Sequence, residues 1–367
     1  MRISVISLFT RLLAGCIVLM CTACTGLPWG QNGVNAGADR SIGPNEQPLP
    51  PLSTTLYLDI PKSTEVLGRL QVIHARDENT FSSIAREYSL GYDELKLANP
   101  NVDPWLPGEG TRVYLPTMMV LPDTDRQGVV VNLPTMRLLH FQSSSSIGSL
   151  QTIENYPIGI GREGWATPIG QFHITQKVAD PNWYPPESVR KEHAEMGDPL
   201  PRVVPPGPDN PLGRFKMRLS NPEYLIHGTN KPSGVGMRVS HGCIRLYPEN
   251  IAELFQNAAT KTKVRIINQP VLVGWHEQNL YLEVHPLLVE DQRELQALAN
   301  ELITDALNNK ALEINVNQEL VTKIVNEQRG VPFPITSSVA NIDGYLTKAR
   351  LSENIVPSAA PAKTASR

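Results

Sequence analysis

Between Gly128 and Pro270 the apolar residues fall in short runs and alternations, not in long stripes of helical spacing. Val129-Val130-Val131, Arg137-Leu138-Leu139-His140-Phe141, Phe172-His173-Ile174, Lys216-Met217-Arg218-Leu219 and Val264-Arg265-Ile266-Ile267 therefore read as strands. One helix interrupts them over 248–258, where Pro248 suits a first turn and Ile251, Leu254 and Phe255 share an apolar face. Upstream, Val72 and Ile73 open a strand and Thr80 caps a helix through Tyr88. Asp93 caps a second helix through Asn99, and Val113-Tyr114-Leu115 closes the unit. Beyond Pro270 come two strands, Val271-Leu272-Val273 and Leu280 to Val284, then helices from about Glu290 to Asn308 and Asn317 to Glu327. The expected fold is a mainly β body at 128–270 with a short helix, a small βααβ unit at 62–118, and an α/β extension at 271–350.

The ends differ in character. Met1 to Arg11 carries two arginines, and Leu12 to Ala23 is an apolar run of signal-peptide length, too short to span a bilayer, so export is expected with 1–23 removed. Thr22-Ala23-Cys24 resembles the end of a lipobox, which makes Cys24 a candidate for lipidation; ordinary cleavage with Cys24 incidental stays open. Residues 24–61, rich in Gly, Asn, Pro and Ser, read as a flexible tether, and 351–367 as a disordered tail. The stretch from Asp180 to Gly213 holds nine prolines and reads as an ordered flap along a groove. A net charge of -3 gives no sign of nucleic-acid binding or of a polybasic membrane surface.

Candidate chemistry concentrates in Ser240-His241-Gly242-Cys243-Ile244-Arg245-Leu246. Of four cysteines, only Cys243 lies beyond the first 24 residues, so in an oxidising compartment it has no disulfide partner once Cys24 is acylated. A nucleophilic thiol needs an imidazole to take and return its proton, and His241 and the upstream His227 are both available. Gly242 permits the tight turn that aims backbone amides at an oxyanion. The alternative is a small buried hydrophobe. No residue spacing suggests a metal site, and no cofactor motif is present.

His227-Gly228-Thr229-Asn230 followed by Ser240 to Leu246 resembles the signature of the L,D-transpeptidases (YkuD-type catalytic domain), in the Gram-negative periplasmic branch that includes enzymes anchoring an outer-membrane lipoprotein to peptidoglycan. Gly161 to Gly170, Asn182 to Pro186 and Pro205 to Gly213 extend the match. The resemblance implies a β-sandwich or barrel in which Cys243 attacks the diaminopimelate carbonyl of a tetrapeptide stem and D-Ala leaves. His227 would be general base, with its ring held by a carbonyl such as that of Gly228. His241 and Ser240 would support the thiolate, Arg245 would bind a stem carboxylate, and Trp165, Trp183 and Tyr184 would contact the peptide. The acceptor would be a lysine of an anchored protein or a second diaminopimelate, and the thiol a carbapenem target. Residues 70–117 look like a LysM module, which implies glycan contacts at Thr80, Phe81, Asn99 and Pro100. The implied partners are peptidoglycan stems and glycan strands and an outer-membrane lipoprotein; the implied location is the periplasm, with a lipid anchor if Cys24 is acylated. Two readings stay open: a hydrolase in which water captures the thioester, and a non-catalytic wall-binding lipoprotein.

Overall fold

The computed structural model describes residues 47–143, 148–310, 314–339 and 341–358. Both the signal peptide and Cys24 lie outside them.

A nine-stranded sheet forms the body. Its order is Leu56–Pro61, Leu150–Pro157, Arg137–Ser143, Gly128–Asn132, Lys263–Ile267, Gly170–Ala179, Phe215–Leu219, Leu225–His227 and Ile244–Arg245. Where both faces are covered the strand sequence is continuously apolar: Val129 and Val131 enter one core with Ile174, Met217 and Ile266, while Val130 packs on the other side with Leu67, Met119 and Leu139. Where only one face is covered the sequence alternates. Met217 and Leu219 point into the core and Lys216 and Arg218 away from it. The helix Pro248–Asn257 lays Ile251 and Leu254 on that core, and Phe255 packs against Phe215 with ring centroids 4.7 Å apart.

Two boundaries are corrected. The tether expected through 61 includes an edge strand, Leu56–Pro61, antiparallel to Leu150–Pro157. Pro61 is tolerated because it ends an edge strand and withholds no interior ladder bond. The tail expected to be disordered from 351 is placed through 358. Arg350–Leu351 pairs in parallel with Gln71–His74, the Ser352 hydroxyl bonds Gln71 at 2.8 Å, and Val356 is buried.

The upstream unit comprises Gln71–His74, Phe81–Glu87, Tyr92–Ala98 and Arg112–Leu115, its outer strands antiparallel. Thr80 caps the first helix, its hydroxyl accepting from the Ser83 amide at 3.1 Å. Asp93, expected to cap the second, lies inside it; Gly91 is the cap, and Glu94 reaches back to accept from the Gly91 amide at 2.9 Å. Glu94 also meets Arg137 of the large sheet in a nearly dry ion pair, Arg137 Nη2 donating to both carboxylate oxygens at 2.5 and 2.7 Å and Nε to one of them at 3.1 Å. A second junction lies in the chain between His227 and Ser240, where the Asp93 backbone amide donates to the Gly236 carbonyl at 3.1 Å. Gly236 adopts φ +81°, and a β-carbon there would lie 2.2 Å from the Gly91 Cα, so only glycine fits.

The extension packs the hairpin Val271–His276 and Asn279–Val284 against the helices Leu295–Asn308 and Gln318–Glu327. Leu70, Val72 and Ala98 of the βααβ unit share that core. The first helix starts at Leu295, not near 290, because Asp291 is held in a turn by Arg293 and Asn268.

Candidate active site

Cys243 and His227 open onto one cleft of about 270 Å³ at the far edge of the sheet, shared with Ser240, His241, Arg245, Trp183 and Tyr184. Strand geometry sets this grouping. Ile226 and Ile244 are core residues facing one way, so Leu225, His227 and Arg245 face the other.

His227 is 3% exposed. Its Nδ1 lies 2.6 Å from the Gly228 carbonyl, which can only accept, so Nδ1 carries the proton and Nε2 keeps its lone pair when the ring is neutral. Burial, reinforced by the Arg245 and Lys216 charges, pushes its pKa down to about 3, so the ring is neutral at pH 7. The Cys243 thiol is half-buried, with a weak contact to the Glu223 carbonyl at 3.9 Å. Burial raises its pKa, against opposing contributions from the Leu225 amide and Arg245. The resting pair is therefore thiol and neutral imidazole, and deprotonation has to accompany attack.

The loop carrying Cys243 is pinned from both sides. Gly242 has φ +94°, and an added β-carbon would sit 2.9 Å from Tyr224, so Gly242 is required by both conformation and space. The Ser240 hydroxyl donates to the Cys243 carbonyl at 2.6 Å. Thr167, which sequence reasoning did not single out, accepts from the Gly161 amide at 3.0 Å and donates to the Gly242 carbonyl at 2.9 Å. In a trans peptide C=O and N–H point oppositely, so holding the Gly242 carbonyl aims the Cys243 amide the other way. Thr167→Val is expected to cost about 1–3 kcal/mol of stability and to lower kcat roughly 10- to 100-fold. Parallel denaturation and rate measurements check this, and an unchanged kcat would assign the bond to the fold alone.

His241 does not stand free beside the thiol. Its Nε2 donates to Glu192 Oε2 at 2.8 Å, Glu192 also binds Arg162, and the Trp165 ring meets the imidazole edge-on with centroids 4.8 Å apart. The Arg162 bond, then the His241 bond, hold the Glu192 carboxyl down to about 2. Trp165, expected to contact peptide, thus packs on His241 and does not line the cleft. Glu192 comes from the flap, on its helix Glu187–Glu195. That flap is ordered despite its prolines: buried Asn210 donates to the Pro181 carbonyl at 2.7 Å, and Trp183 and Val204 exchange two backbone bonds. Trp183 and Tyr184 line the cleft, Tyr184 largely exposed.

In the βααβ unit two assignments are corrected. Phe81 is fully buried, and every hydrogen-bonding atom of the Asn99 amide group is engaged, with the Leu95 and Tyr114 carbonyls and the Tyr114 amide. Neither side chain is available to a ligand. Thr80 borders an open cleft of about 800 Å³, Pro100 is exposed, and Trp105 stands 66% exposed on the loop that follows. Among the described residues no cluster of three metal-ligating side chains occurs.

The L,D-transpeptidase catalytic domain (YkuD) family model matches residues 126–266. The chain is 35% identical over 289 residues to the probable L,D-transpeptidase YbiS of Escherichia coli K12, covering 76% of this chain and 92% of that protein. It is 37% identical over 241 residues to the probable L,D-transpeptidase ErfK/SrfK of the same organism, covering 65% and 76%, and 33% identical over 296 residues to YcfS, covering 79% and 88%.

Proposed function

The chain belongs to the YkuD-type L,D-transpeptidases, and from that premise we propose that Cys243 is its nucleophile, acting on peptidoglycan tetrapeptide stems. As the thiol proton passes to His227 Nε2, sulfur bonds to the diaminopimelate carbonyl. The C–N bond to D-Ala then breaks, and the same proton goes to the departing amine. An acceptor amine attacks the thioester, loses a proton through His227, and the C–S bond breaks to regenerate the thiol. We assign the oxyanion to backbone amides around Gly242 and Cys243, the stem carboxylate to Arg245, and peptide contacts to Trp183 and Tyr184. The reading is carried by one observation: a thiol and a neutral, Nδ1-anchored imidazole share a cleft with a guanidinium whose buried Nε has no partner among the described residues.

The acceptor is proposed to be the lysine of an anchored protein or a diaminopimelate amine. The βααβ unit is proposed to be a LysM module that meets glycan through Thr80 and the loop bearing Trp105, with the protein in the periplasm and held by a lipid on Cys24. Mass spectrometry of wild type and Cys243→Ala, each incubated with tetrapeptide muropeptides and a lysine-ended acceptor peptide, tests this. D-Ala loss with a Cys243-dependent peptide adduct is expected. Free tripeptide as sole product would replace transfer by hydrolysis, and an active Cys243→Ala protein would remove the nucleophile assignment.

A further inference from the structure

Lys216, His227 and Arg245 stand in one row across three adjacent strands, Lys216 opposite His227 and His227 opposite Arg245. Arg218, two residues along from Lys216 and on the same strand face, stands opposite Leu225. All three cations line the cleft that holds Cys243. Among the described residues none is in an ion pair, and the Arg245 Nε is buried without a hydrogen-bond partner. Burial, then Arg218 nearby, lowers the Lys216 pKa, which marks an ammonium short of compensating anions. Among the described residues that line the cleft the single acid is Glu223, which is solvent-exposed. Three cations against one acid give the cleft a positive balance suited to an anion, most strongly at the half-buried Lys216 and Arg245, while Arg218 stands exposed at its rim.

We infer that Lys216 and Arg218, together with Arg245, are specificity determinants that select donor stems carrying free carboxylates on both sides of the scissile carbonyl. This rests on the proposed acyl-transfer reading. In the donor of that reading two carboxylates flank the reacting carbon, one on the diaminopimelate side chain and one on the terminal D-Ala. The cation row spans His227 on either side, so it addresses both while the imidazole stays at the thiol. A guanidinium takes a carboxylate through two parallel bonds, and an ammonium takes it as a point charge. A carboxamide offers neither charge nor two equivalent acceptors, and it leaves the half-buried cations unpaired.

The test compares kcat/KM for alanine or alaninamide release from three donors: the unmodified tetrapeptide stem, the stem with its terminal carboxylate amidated, and the stem with its diaminopimelate carboxylate amidated. Wild type is expected to prefer the unmodified stem by about 10- to 100-fold over either amide. Lys216→Met and Arg218→Met are expected to bring at least one ratio within about threefold, and Lys216→Arg to restore discrimination. Damage to the fold alone would lower all three rates together without moving their ratios, and thermal unfolding of each variant checks that separately. Equal use of all donors by wild type, or unchanged ratios in both methionine variants, overturns the inference and leaves the acyl-transfer reading intact. No release from any donor by wild type removes both.

Discussion

His227→Gln is expected to lower turnover by about 10³-fold or more while making the folded protein less sensitive to acid. A positioned general base contributes roughly 10²–10⁴ in rate, and here the loss falls at the upper end because the thiol's own pKa is raised, so little thiolate forms without help. Glutamine keeps an N–H for the Gly228 carbonyl but cannot titrate. The stability effect has a definite sign. The folded-state pKa of about 3 lies below the ordinary 6.5, so between those values the unfolded chain binds the extra proton. His227 thus leaves stability intact above about pH 6.5 and erodes it as pH falls toward 3, by up to about 1.4 kcal/mol per pH unit. Denaturant midpoints at pH 7 and 4.5 should separate more for wild type than for the variant. Equal separation would show that His227 is not the buried proton acceptor, and activity within tenfold of wild type would end its assignment as base.

Glu94→Ala carries the largest expected cost in stability, about 3–5 kcal/mol. The Arg137 and Glu94 side chains are 5% and 10% exposed, so truncation leaves a guanidinium almost without water and without its carboxylate. The same carboxylate accepts from the Gly91 amide, so the second helix also loses its N-terminal reciprocal bond. Urea unfolding followed by two probes measures the effect, and Arg137→Met in the Glu94→Ala background should recover a large part of it by removing the stranded charge. A loss below about 1 kcal/mol would place the pair among weak surface contacts.

The candidate loop around Cys243 was legible in the sequence because its parts are contiguous: a thiol, a histidine beside it, and a glycine where the backbone turns. Strand faces were legible for the same local reason, since Met217 and Leu219 alternate with Lys216 and Arg218. Glu192 and Thr167 were not. Each reaches the loop from another element, and nothing local distinguishes Glu192 among the charges around it; the signal for Thr167 is only a hydroxyl between Ala166 and Pro168 in an otherwise apolar setting. Phe81 and Asn99 carry the pattern of a binding loop, yet the core and the Leu95 and Tyr114 backbone claim them first. The edge strand at 56–61 was hidden by composition, because a Pro- and Ser-rich neighbourhood outweighs a short Leu-Tyr-Leu-Asp-Ile segment until a partner strand is known.

Gly91 and Gly236 are both already the smallest residue, so neither can shrink to admit a change at the other. Their contact fixes where this chain can be recombined. A graft that replaced residues 62–118 would have to bring a matching 232–237 with it, although the two segments are distant in sequence. The workable crossover points therefore enclose both glycines, and the unit and the segment beneath it are exchanged together or not at all.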